Sequence, residues 1–247
     1  MLSGSSDFPS PFMTATPLRL DHLVVSARTL EEGVQYVADK LGATPTGGGA
    51  HPLMRTHNRL LGLWGGVYLE VIAADPSARG AGSAQTPGRA RLFELDSPDV
   101  QARLEKGPYL SHWVARVEPP KDLARWRAQY PQRIPELVPM TRNDLSWQLS
   151  VPLDGAFPQW QGAGDGALPS LIQWDTPRHP SQSLADTGIA LRSLTAYHPQ
   201  AQALREQLEW LGAAHLITVE DSLSPALVAQ FETPSGTRSL GAPRTLV

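Results

Sequence analysis

The chain has 247 residues, no cysteine and a formal net charge of -3, with 21 Lys and Arg against 24 Asp and Glu. That length can bury a core without covalent staples, and the absence of cysteine excludes disulfides, thiol nucleophiles and Cys-ligated zinc. The basic residues are scattered, which argues against nucleic acid as a partner, and no apolar run approaches the ~20 residues that cross a bilayer, so a cytoplasmic protein with no membrane partner is expected.

Residues 1–17 are rich in Ser, Pro and Thr and lack both a basic n-region and an apolar h-region, so they read as a disordered leader rather than a signal peptide. Residues 18–27 (LRLDHLVVSA) alternate as a strand, with His22 and Val24 on one face and Leu23 and Val25 on the other. Thr29 with Glu32 forms a capping-box pattern, and Leu30, Val34, Val37 and Leu41 recur at helical spacing before Gly42, which suits a left-handed helix end. Residues 43–51, 56–64 and 67–73 read as three strands, the last two joined across Gly65 and Gly66. The first unit, 18–107 with its linker, is therefore βαβββ, and a short helix is expected near residues 100–104.

The β-then-α order recurs in residues 108–188. A strand at 111–117 precedes a helix carrying Leu123, Trp126 and Tyr130, which Pro131 stops, and further strands are expected at 145–151 and 169–175. Residues 189–247 make a third, partial copy: a strand at 189–197, a helix with Leu204, Leu208 and Leu211, and strands near 215–219 and 226–233. An unpaired sheet edge there makes a homodimer the expected assembly.

Gly47 to Gly49 do not form a phosphate loop, since neither the GxxxxGK[ST] pattern nor a following helix is present, and no GxSxG elbow occurs. Two constellations remain. His22 on the first strand and Glu70 on the fourth have the parity to face one cavity. His112 and Gln173 are the matching pair expected from the second unit. Alternation also puts Thr56 and Asn58 on one face and His57 and Arg59 on the other, which favours Asn58 in the cavity. His179, His198 and His215 read as turn or edge residues.

Two βαβββ units with His22 and Glu70 at these places resemble the vicinal oxygen chelate superfamily. The Gly47–Gly48–Gly49 run with His51, then Thr56 and Asn58, then Gly65–Gly66 before Tyr68 and Glu70, is similar to its glyoxalase-like members; Arg55 stands where those members tend to carry Gly. The resemblance implies an α+β fold in which paired modules form one curved mixed sheet cupping a small-molecule substrate. It implies a divalent metal (Zn, Mn, Ni or Fe(II), which imidazole with carboxylate suits while leaving positions open for a substrate's oxygens) held by His22, Glu70, His112 and Gln173, with Glu70 also catalytic and His51, Thr56, Asn58 and Tyr68 contacting substrate. The implied activity is that of a metal-dependent lyase, isomerase or oxygenase; a non-catalytic binding protein of the same fold is the alternative. If His22 is a ligand on a cavity wall, His22→Ala is expected to lose metal with little loss of fold.

Overall fold

The computed structural model describes residues 18–80 and 90–242; the expected leader lies outside them. The first unit is β1 (Arg19–Ser26), α1 (Leu30–Leu41), β2 (Thr46–His51), β3 (Thr56–Leu63) and β4 (Val67–Ala74). Thr29 accepts the Glu32 N–H at the start of α1, but the Glu32 carboxylate pairs with Arg28 instead of closing the box, and Gly42 ends the helix at φ 77°. The buried stripe of α1 is Leu30, Gly33, Val37 and Leu41, while Val34 is only half-buried. Gly33 is there because the helix lies so close to the sheet that a Cβ would sit 2.4 Å from Val71 Cγ1.

After α2 (Pro98–Leu104) comes the second unit: β5 (Tyr109–Arg116), α3 (Leu123–Gln129), β6 (Leu137–Arg142), β7 (Leu145–Ser150) and β8 (Ser170–Trp174). The two units share one eight-stranded mixed sheet in the order β2-β3-β4-β1-β5-β8-β7-β6. It curls until its terminal strands β2 and β6 lie side by side, a nearly closed α+β cup. The remaining strands, β9 (Ala190–His198), β10 (Thr218–Asp221), β11 (Ala226–Thr233) and β12 (Gly236–Leu240), with α4 (Ala201–Leu211) after β9, form a second sheet in the order β10-β9-β11-β12. This third unit repeats the element order with different wiring, because its first strand is internal whereas β1 and β5 join the two halves.

The period-2 alternation of the central strands divides the core into two. Leu23, Val25, Leu69, Val71 and Trp113 point outward and pack with α1, α4 and the second sheet through residues such as Leu194, Leu204 and Phe231. The apolar face of the second sheet is thus covered within the chain, and only its outer strands remain as edges. Val24, Ile72, Val114, Ile172, Trp147 and Leu149 point inward, where Leu92 and Phe93 cap them from the linker. The inner face is where the polar exceptions gather.

Candidate functional site

Parity alone would send Asp21 and His22 to opposite faces of β1. The β1–β5 register slips between Leu20 and His22, opposite Ala115 and Val114, so Asp21 is the extra residue of a β-bulge. A bulge re-aims a side chain, and here the Asp21 carboxylate meets His22 Nδ1 at 2.7 Å. The same carboxylate accepts from Trp174 Nε1 at 2.9 Å and pairs with His179 Nε2 at 3.0 Å, and it is fully buried. Burial opposes its charge, but the bonds to His179 and His22 overcome that and hold the carboxyl well below the usual range.

With Nδ1 fixed by Asp21, His22 turns Nε2 toward Glu70, 3.4 Å from Oε2. Burial disfavours the imidazolium, yet the two flanking carboxylates outweigh it and push His22 up to about 9. Glu70 is likewise buried but held down to about 2 by His22, His51 and Asn58. Tyr68 stacks on the His22 ring at 4.5 Å and 15°. Asn58 completes the set: its Nδ2 donates to Glu70 Oε1 at 2.5 Å, while its Oδ1 accepts from the Gly49 N–H at 2.9 Å and from Arg142 Nη1 at 3.1 Å.

His22, His51, Asn58, Tyr68 and Glu70 thus line one cavity, walled by Trp147, Trp174, Met140 and Ile172. His51 is a buried wall residue, neither solvated nor at the mouth. Burial pushes it down to about 4, and its Nδ1 lies 3.2 Å from Thr56 Oγ1. Thr56 is therefore behind His51 rather than on the wall. Arg55 adopts the left-handed conformation (φ 51°) that a glycine takes freely, so the turn geometry survives the departure from the family pattern.

The second-unit half of the expected metal set does not form. His112 is the pseudo-symmetric counterpart of His22, since His22 pairs with Val114 as His112 pairs with Val24. By the same relation the counterpart of Glu70, which pairs with Val24, is Ser170, which pairs with Val114. Gln173 is thus the wrong residue: it lies on the opposite face, accepting from the Leu123 N–H at 2.9 Å and donating to the Lys121 carbonyl at 3.0 Å. His112 keeps the inner face but has no nitrogen to offer. Its Nδ1 is 3.0 Å from the Gly166 carbonyl, its Nε2 accepts the Ser170 N–H at 3.1 Å, and Phe93 and Phe157 cover the ring.

A consequence of that burial can be measured. Burial pushes His112 down to about 3, against the pull of the Gly166 carbonyl, from its ordinary 6.5. The stability it supports is therefore complete above pH 6.5. As pH falls below that value the unfolded chain takes up a proton that the folded chain refuses, and stability declines by roughly 1.4 kcal/mol per pH unit toward pH 3. Urea midpoints between pH 7 and pH 5 should show this acid limb, and it should be shallower in His112→Gln. An equal slope in the variant would assign the limb to other groups.

The family model for the glyoxalase-like domain matches residues 20–212. This chain belongs to the glyoxalase-like domain family. Its fold is that of the vicinal oxygen chelate superfamily. A hypothetical protein from Staphylococcus aureus superposes at a TM-score of 0.56 with 17% identity, covering 84% of this chain and 87% of that one. A methylmalonyl-CoA epimerase from Mycobacterium tuberculosis superposes at 0.38 with 17% identity, covering 66% and 92%. At 17% identity the first of these likenesses shows the fold alone, and no curated protein matches the chain. Among the described residues of this glyoxalase-like protein, no helix is long and apolar enough to cross a membrane.

A divalent metal, as the family reading implies, can be tested against these donors. Among the described residues no group of three or more His, Asp or Glu converges as a ready-made metal site. Two donors do fit: His22 Nε2 and Glu70 Oε2, 3.4 Å apart, have the separation of neighbouring ligands with bonds of roughly 2.0–2.2 Å. Each is backed as a ligand requires, His22 by Asp21 and Glu70 by Asn58. The residues present therefore supply half a coordination shell with a finished outer shell.

Three participants escaped the sequence reading. Asp21 needed the bulge, and His179, read as a turn residue, anchors Asp21 from beyond β8. Arg142 was missed with its strand.

Proposed function

We propose that this glyoxalase-like protein binds a divalent cation through His22 and Glu70 and takes a small substrate by two neighbouring oxygens, as a lyase, isomerase or oxygenase. The observation that supports this most is the pair itself: a histidine and a carboxylate, each oriented by a buried polar partner, in a cup whose other wall residues are aromatic and aliphatic apart from His51, Asn58 and Arg142. A bound cation would polarise a substrate carbonyl and stabilise the oxyanion that develops from it. The chain's own part is to hold the donors, exclude water and move a proton. Trp147, Trp174 and Ile172 keep bulk water from the floor, which strengthens every polar contact there. Glu70 is the proposed catalytic base, its Oε2 facing the cavity side of His22 while Asn58 ties down Oε1.

The expected test on His22 changes with the structure. His22 is 5% exposed and ion-paired to two buried carboxylates, so His22→Ala strands both and should damage the fold. Glu70→Gln is the better probe, since the amide keeps the shape and still accepts from Asn58. After exposure to Zn, Mn, Ni or Fe(II), elemental analysis should find about one ion per wild-type chain. Glu70→Gln should bind at least ~10-fold more weakly while remaining folded, with a melting temperature lowered less than that of His22→Ala because Asp21 still pairs with His22. A wild-type protein that retains none of the four ions would favour the second reading, a non-catalytic binding protein, to which the sealing of the second half-site by Ser170 also points.

A further inference from the structure

We propose that the ligand of the cup is a small 2-oxo or 2-hydroxy carboxylate whose carboxylate group is held by Arg142; this rests on the chelate reading of His22 and Glu70. Arg142 ends β6 and reaches across the seam between β6 and β2 into the wall of the cavity. Among the described residues its hydrogen bonding amounts to one contact, Nη1 to Asn58 Oδ1 at 3.1 Å, and no carboxylate lies within ion-pair distance. Arg91 and Arg116 differ: Arg91 is paired with Asp96 and Arg116 with Glu118. A guanidinium carries five N–H donors in a planar fork that matches a carboxylate, and one of the five is used here.

The position of that fork sets the rest of the ligand. Asn58 bridges Arg142 and Glu70 through the two ends of one amide, Oδ1 to Arg142 and Nδ2 to Glu70 Oε1. The Arg142 guanidinium and Glu70 are therefore bridged by one amide with a hydrogen bond at each end, a span that a carboxylate bonded directly to an oxygen-bearing carbon can bridge when it contacts both sides. The space open to water centres between them is about 30 Å³, room for two or three waters at roughly 10–15 Å³ each. That admits the two-carbon head of such an acid and sends any longer tail toward the mouth. A phosphate ester brings a bulkier group into the same small space.

Pyruvate and its neutral isostere pyruvamide separate the carboxylate from the neighbouring oxygen. Titration calorimetry of the metal-loaded protein should show pyruvate binding at least about tenfold more tightly, with inorganic phosphate competing poorly. In Arg142→Gln that preference should vanish with metal content unchanged. Arg142→Lys, which keeps the charge without the fork, should retain a reduced preference and serves if the Gln variant does not fold. Equal affinity for the two probes, no binding of pyruvate, phosphate competing as well as pyruvate, or a preference that survives in Arg142→Gln would each overturn the assignment. Failure of the chelate reading shows separately, as absent metal or as metal content indifferent to Glu70→Gln.

Discussion

Asp21→Ala is expected to cost about 3–5 kcal/mol of stability, the range for removing one partner of a buried charge pair. The substitution leaves the Nδ1 of His22, the indole N–H of Trp174 and the Nε2 of His179 facing an apolar methyl group. It also removes one of the two carboxylates that keep His22 charged, so the His22 imidazole, at about 9 in the intact protein, should titrate markedly lower. Urea unfolding gives the first quantity and NMR titration of the ring nitrogens the second. Asp21→Asn, with one acceptor oxygen in place of two, should fall between. A loss below about 1 kcal/mol for Asp21→Ala would mean that water replaces the carboxylate and that the bulge holds its shape without it.

The second large effect belongs to the outer core. Leu41→Asp should destabilise by about 4 kcal/mol or more, since it removes a buried leucine and leaves a carboxylate with no partner. Leu41 is buried in the α1 stripe whereas Val34 is half-buried, so Val34→Asp on the same helix should cost much less. Thermal melts of the two variants give the comparison. Similar losses would show that α1 packs on the sheet with a different face.

The first unit was legible because each of its signals is local. The alternation in β1, β3 and β4 placed His22, Asn58, Tyr68 and Glu70 on one face, and the structure finds all four around one cavity. Alternation also assumes an unbroken strand, and so it misread Asp21, where a bulge sets two successive side chains to work together. The second unit was harder for a similar reason. Residues 137–142 carry Pro139, a residue that fits poorly inside a sheet, but β6 is the terminal strand, where a proline is tolerated. The signal that could have found it is Val138 and Met140 in alternation, followed by Asn143 at φ 56° in the turn to β7. Gln173 matches Glu70 only in lying on the last strand of its unit, and the β5–β8 register shows that Ser170 holds the equivalent place. Pairing between distant strands is not written in either strand alone, and a slip of one residue reverses every side chain.

The seam between β2 and β6 gives the cup a mechanical character of its own. A fully closed barrel can be widened only by tearing a backbone ladder, several hydrogen bonds at once. Among the described residues the two terminal strands touch without one, and a hydrogen bond from Arg142 at the end of β6 reaches past β2 to Asn58 on β3, beside the packing of Gly49 against the arginine stem. The gap therefore behaves as a zipper held at one tooth. Parting it would sacrifice side-chain contacts and no backbone ladder, a change on the timescale of side-chain and loop motion.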